Sequence, residues 1–228
     1  MTFSIVGLCP RTGQFGCALA TSSMAAGGRA PFVGPGIGVV LSQARSDPRL
    51  GVIGLRSLEN GRAAADALSD MIASTPHSAW RQLAVLDRSG AVASFTGAHC
   101  TAEKGAQNGH GAIAIGNGLA SASVPSAMMR GFEAAPEKTL ADRLIMALEY
   151  GLEAGGEAYP LRSASIKIAH AGIPFPPVDL RVDFSEEPIV ELRRLSELWE
   201  PMMEGYIKRC LDPENSPAAA SIEGHIAR

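Results

Sequence analysis

Thr2 is the residue of this sequence with the most direct route to chemistry. Methionine aminopeptidases generally remove Met1 when the second residue is as small as threonine. The new first residue then carries a free α-amino group beside a hydroxyl. An α-amine has an ordinary pKa of about 8. It is basic enough near neutrality to take the hydroxyl proton, so one residue supplies both nucleophile and general base. The reaction expected from that pairing is attack on a small amide or peptide carbonyl. A chain that keeps Met1 has an acylated nitrogen at Thr2 and lacks the base.

Other clusters carry less. Cys9 and Cys17 lie at similar distances from the turn at Pro10–Gly13 and are candidates to face each other, with packed free thiols as the default state. His99 and Cys100 are neighbours, and in extended chain neighbouring side chains point to opposite faces, which keeps them from pairing as a dyad. His110 is isolated, so no metal site is expected. Gly34-Pro35-Gly36-Ile37-Gly38 lacks the Lys-Ser/Thr and the following helix of a phosphate loop. No cofactor is expected. Asp179 and Asp183 share a strand face with Arg181, which suits ion pairs better than paired acid–base carboxylates. Gly116-Asn117-Gly118 has the composition of a tight strand-to-helix turn.

These residues need elements to hold them. Residues 3–8 and 15–22 read as a β-hairpin around Pro10-Arg11-Thr12-Gly13, and 37–41 as a third strand. Their apolar residues are consecutive, as in a sheet covered on both faces. Ala64, Leu68, Met71 and Ile72 predict a helix over 56–74. A second hairpin follows (80–87 and 91–96 around Arg88-Ser89-Gly90), then a strand at 112–115. Helices are expected at 121–134, with Pro125 in the first turn, and at 140–154, with Thr139 and Asp142 as a capping box and Gly155-Gly156 as the stop. Strands at 165–169 and 180–183 precede a last helix over 188–209. Its apolar stripe (Ile189, Leu192, Leu195, Leu198, Met202, Tyr206) suits core packing or a subunit contact. Strands come in hairpins and helices in separate groups, so the class is α+β. Two sheets stacked between two helix layers, a four-layer αββα sandwich, would use every apolar face. Residues 1–211 form one expected domain and 212–228 a polar, frayed tail.

Composition narrows the partners. The chain has 228 residues, 46% hydrophobic and 19% charged, with 20 Lys plus Arg against 23 Asp plus Glu and a net charge of −3. That is ample apolar material for a full core. The tightest basic pair, Arg193-Arg194, has acids on both sides, so no nucleic-acid partner is expected. There is no apolar run of roughly 18 residues, so no membrane partner is expected either. Met1–Val6 has no basic n-region or cleavage site of a signal peptide. Cys9, Cys17, Cys100 and Cys210 form no CxxC pair, which fits a reducing cytoplasm.

The segments MTFSIVG (1–7), GCALATS (16–22), SQAR-DP (42–48), GNGL (116–119), DLRVD (179–183) and ELRRL (191–195) together resemble a bacterial family known as domain of unknown function 1028. Through its fold that family is similar to the N-terminal-nucleophile (Ntn) hydrolases. The resemblance implies Thr2 as the catalytic nucleophile and Gly116, Asn117 and Gly118 near the oxyanion, with Asn117 and the backbone N–H groups around Gly118 as donors. It also implies a small-molecule or peptide substrate and a homo-oligomer. Proteasome-type members carry an Asp where this chain has Thr21, and a Lys in the third strand. No lysine occurs here before Lys104, which leaves Arg29 and Arg45 as the cations expected at the substrate site. Arginine does not shuttle protons. Two readings follow: a Thr2 amidohydrolase, or a catalytically inactive Ntn-fold protein acting as a binding or assembly module.

Overall fold

Strands β1 (Thr2–Leu8) and β2 (Phe15–Thr21) are buried along nearly their whole length, because both faces of their sheet are covered. β3 (Pro31–Gly34) and β4 (Gly38–Ala44) follow, then helices α1 (Pro48–Glu59) and α2 (Ala64–Ala73). Next come β5 (Arg81–Asp87), β6 (Val92–Thr96), β7 (Lys104–Gly109) and β8 (Ala112–Asn117). Helices α3 (Val124–Glu133) and α4 (Leu140–Glu153) precede β9 (Ser163–Ala169), β10 (Val178–Val182), α5 (Pro188–Leu211) and the short α6 (Ala219–Glu223). This computed structural model describes residues 1–224.

The strands form two antiparallel sheets, one of six in the order β10-β9-β2-β1-β8-β7 and one of four in the order β3-β4-β5-β6. Three apolar clusters account for the packing. Phe3, Ile5 and Ile166 meet Met128, Leu144 and Leu148 of α3 and α4 on one face of the larger sheet. Val6, Cys17, Ile113 and Ile115 on its other face meet Val39, Leu41, Ala84 and Leu86 of the smaller sheet. Val40, Leu83 and Val85 then pack on Leu50, Leu58, Leu68 and Met71 of α1 and α2. Successive residues of one strand thus enter different clusters, as the two-residue period of a strand requires. Among the described residues no helix is long and apolar enough to cross a membrane.

Several expected elements differ. The helix expected over 56–74 is two helices, separated at Gly61, whose φ of 82° lies in the left-handed region. Asp47 caps α1 by accepting from Arg49 N (3.2 Å), with Pro48 at the first helical position. The cap of α2 comes from a distance: Asp87 Oδ2 accepts from Ala64 N at 3.0 Å. β3 and β7 are edge strands that hydrophobic pattern does not announce, one opened by a proline, the other polar and half-exposed. Cys9 and Cys17 do not face each other. Cys9 packs toward the helices and Cys17 between the sheets, where burial pushes its thiol pKa up to about 12. In the tail, α6 folds back so that Ile222 lies against Gly205 of α5. Residues 225–228 of the expected tail lie outside the described residues.

Candidate functional site

At one end of the two sheets, polar residues replace the apolar core. Ser4, Gln43, Gln82 and Asn117 come from β1, β4, β5 and β8, and all four are fully buried. Their hydrogen bonds have a single consistent direction. The Gly116 carbonyl only accepts, so Gln82 turns Nε2 toward it (2.8 Å) and toward Thr96 Oγ1 (3.0 Å). Gln82 Oε1 then receives Gln43 Nε2 at 2.8 Å and Asn117 Nδ2 at 2.9 Å. Gln43 Oε1 accepts from the Ser4 hydroxyl, and Gln43 Nε2 lies 3.5 Å from the Thr2 carbonyl. A carbonyl at one end therefore fixes the orientation of every amide in the chain. The atom left over is Asn117 Oδ1, which is buried without a partner.

Asn117 stands directly opposite Thr2 in the β1–β8 register. Thr2 begins β1 and is 6% exposed. Its hydroxyl donates to the Met1 carbonyl, and the Thr21 hydroxyl donates to the same oxygen at 2.7 Å. Thr21 in turn accepts from Ser23 N at 3.1 Å. An acyl carbonyl thus sits beside the Thr2 hydroxyl with a second hydroxyl aimed at its oxygen. The methionine side chain covers Gly118, whose φ of 63° leaves no room for a Cβ on that side.

Behind Thr21 lies Glu157, which forms an isolated bridge with Leu119 and is buried. One oxygen accepts from Ser22 N at 3.0 Å, and the other has no partner. Burial pushes the Glu157 carboxyl above the ordinary glutamate range. The Ser22 donors, the positive chain N-terminus and the Thr21 hydroxyl oppose that rise.

In front of Asn117 a cavity of about 260 Å³ opens to solvent. Met1, Ala44, Arg45, Trp80, His99, Cys100 and Thr101 line it together with Asn117. Ala44 ends β4 with a φ of 69°, an uncommon conformation for a residue with a Cβ. Beyond this bend the Arg45 guanidinium lies over the Trp80 ring, 4.5 Å from its centre, and His99 meets the same ring edge-on at 4.6 Å. Cys100 Sγ is 3.2 Å from the Arg81 carbonyl, and burial pushes its thiol up.

Of the residues singled out in the sequence, Thr2, Gly116, Asn117, Gly118 and Arg45 come together at this end. Arg29 does not line the cavity. It donates to the Met24 carbonyl at 2.7 Å and braces the loop after β2. The expected oxyanion donors are largely engaged. Gly118 N donates to Thr101 O (3.1 Å) and Leu119 N to Glu103 O (3.0 Å), while Asn117 spends one N–H on Gln82. What Asn117 offers freely is an acceptor. Gln43, Gln82 and Glu157 escaped the sequence reading. A signal for the first two is present, since each is a glutamine close to an apolar run in a strand that is buried on both faces. Glu157 follows the Gly155-Gly156 helix stop and has no local mark of its own.

Comparison with known proteins fits this arrangement into a family without a described activity. No curated protein matches the chain. A crystal structure of protein SPO2555 from Silicibacter pomeroyi, itself placed in DUF1028, is 35% identical with a TM-score of 0.80, covering 86% of this chain and 84% of that one. A structure of Anbu, the ancestral beta-subunit from Yersinia bercovieri, is 11% identical with a TM-score of 0.35, covering 85% and 92%. That likeness is too slight to carry an argument. Residues 2–192 match the family of unknown function DUF1028, and the chain belongs to it.

Proposed function

We propose that this protein is an amidohydrolase on a four-layer αββα scaffold of Ntn type, with Thr2 as nucleophile once Met1 is removed. The observation that carries the reading is the Met1 carbonyl, held beside the Thr2 hydroxyl by a donor from Thr21. A substrate acyl group takes that place when Met1 is gone. The freed α-amine accepts the Thr2 hydroxyl proton as the oxygen bonds to the substrate carbonyl carbon. The oxyanion so formed accepts from Thr21, and the α-ammonium returns the proton to the leaving amine as the C–N bond breaks. Water, deprotonated by the same amine, then cleaves the Thr2 ester and releases the acid. Glu157 feels the charge of the Met1 ammonium, and in this reading its unpartnered oxygen turns to the Thr2 α-amine once Met1 is removed. Self-association into a homo-oligomer belongs to this proposal, and light scattering separates a 23.7 kDa monomer from its multiples.

A second reading, a binding module without catalysis, is favoured by one observation: the N–H groups of Gly118 and Leu119 are already spent on loop carbonyls. The experiment that separates the two is intact mass of protein purified from its own host, followed by treatment with a β-lactone. The hydrolase reading expects a mass lacking one methionine and a single acyl adduct on Thr2 that Thr2→Ala abolishes. Retained Met1, or an unlabelled Thr2, overturns it in favour of binding.

A further inference from the structure

Among the described residues seven arginines pair with carboxylates, and Arg45 is one of those that do not. Arg49 and Arg81 pair with Asp47, Arg62 with Asp70, Arg162 with Glu186, and Arg181, Arg193 and Arg194 each with a nearby carboxylate. Among the described residues Arg45 makes no ion pair. It is nevertheless held in place: its guanidinium carbon lies over the Trp80 ring, and its backbone carbonyl accepts from Arg81. A guanidinium over an aromatic ring has N–H groups that can still fork onto a carboxylate.

A second cation lies close by. The Lys104 ammonium donates to the carbonyls of Gly97, Ala98 and Cys100 at 3.1, 2.7 and 2.9 Å, under the loop that carries His99, and has no ion pair among the described residues. The residues lining the cavity include no acid. Lys104 does not itself line the cavity, so Arg45 is the basic side chain that faces it, in a protein whose net charge is −3. Asn117 lines the same cavity, and its Oδ1 is a buried acceptor without a partner. With about 260 Å³ available, the ligand is of amino-acid size rather than a polymer.

We infer that the cavity takes amides bearing a free carboxylate, of the size of an N-acyl amino acid, with Arg45 forking onto the carboxylate while stacked on Trp80 and Asn117 Oδ1 accepting from the amide N–H. This names the substrate class of the site proposed above and rests on that reading for the cleavage step. The carboxylate contact is measurable without cleavage.

The test is calorimetric titration of the Met1-free Thr2→Ala protein, which has no nucleophile, with N-acetylglycine and with its neutral counterpart N-acetylglycinamide. The acid is expected to bind at least tenfold more tightly than the amide. Arg45→Gln is expected to remove that preference and Arg45→Lys to retain part of it. Arg45 is exposed, and thermal melts confirm that each variant folds. Equal binding of acid and amide, binding of neither, or a preference that survives Arg45→Gln overturns the inference. A preference for the acid in Thr2→Ala, combined with no hydrolysis by the wild type, removes the hydrolase reading and leaves the carboxylate site standing.

Discussion

Glu157 shows how function and stability oppose each other at a single side chain. Its carboxyl is buried, half-satisfied and raised in pKa, chiefly by desolvation. A carboxyl raised on folding favours the native state only while it is protonated in both states. As pH climbs through the ordinary glutamate range the unfolded chain ionises first, and stability falls until the native carboxyl has ionised as well. Glu157→Gln removes this penalty while keeping an acceptor for Ser22 N. Urea denaturation is expected to show the variant more stable than wild type by about 1 kcal/mol at pH 8, with the gap closing toward pH 4. A gap that widens at low pH contradicts the assignment. Under the proposed hydrolase reading, amide hydrolysis is expected to drop in the same variant, because the site loses the buried acid behind Thr21. Thr2 could be proposed from the sequence because the chemistry expected of it needs only its own atoms and a place near the N-terminus. Glu157, Gln43 and Gln82 act through partners from 14 to 135 positions away in the chain, a distance over which local sequence patterns carry no signal.

At the scale of elements, composition reveals whatever buries a repeating face and misses whatever does not. α4 was readable from its Gly155-Gly156 stop and from Thr139, which accepts from Asp142 N at 3.1 Å. β7, with the sequence KGAQNG, is a strand only because β8 is there to pair with it. α1 was hidden for a different reason. Gly51 and Gly54 break its apolar stripe, yet both are buried, because close approach to the sheet requires them to be small. A Cβ on Gly51 would run into the ring of Phe32, and one on Gly54 would lie 2.7 Å from Met71 Sδ. Alanine is a better helix former than glycine by about 1 kcal/mol. Gly51→Ala is nevertheless expected to destabilise, by roughly 1–3 kcal/mol in chemical denaturation, because overpacking outweighs propensity. A gain in stability would mean that α1 sits farther from β3 than described.

For the whole molecule, the decisive layer is the one between the sheets. Leu41 is fully buried there, opposite residues of the larger sheet, so each sheet depends on the other to cover its inner face. The sequence announced two covered sheets through its unbroken apolar runs, but not which strands would face across the gap. That assignment comes from strand order, which no local pattern encodes. Truncating Leu41 to alanine is expected to cost about 2–5 kcal/mol. The manner of unfolding matters more than the size of the loss. Trp80 lies just before β5 at the smaller sheet, and Trp199 lies in α5 beside the larger one. With Trp80→Phe or Trp199→Phe, the remaining tryptophan reports on one sheet alone. If the inter-sheet layer couples the halves, adding Leu41→Ala lowers the urea midpoint seen by both reporters by the same amount, in one transition. Midpoints that separate, with the Trp80 side melting first, would mean that the site end of the smaller sheet opens independently. The cavity beside Thr2 would then be formed only part of the time, and substrate affinity would fall in proportion to the closed fraction.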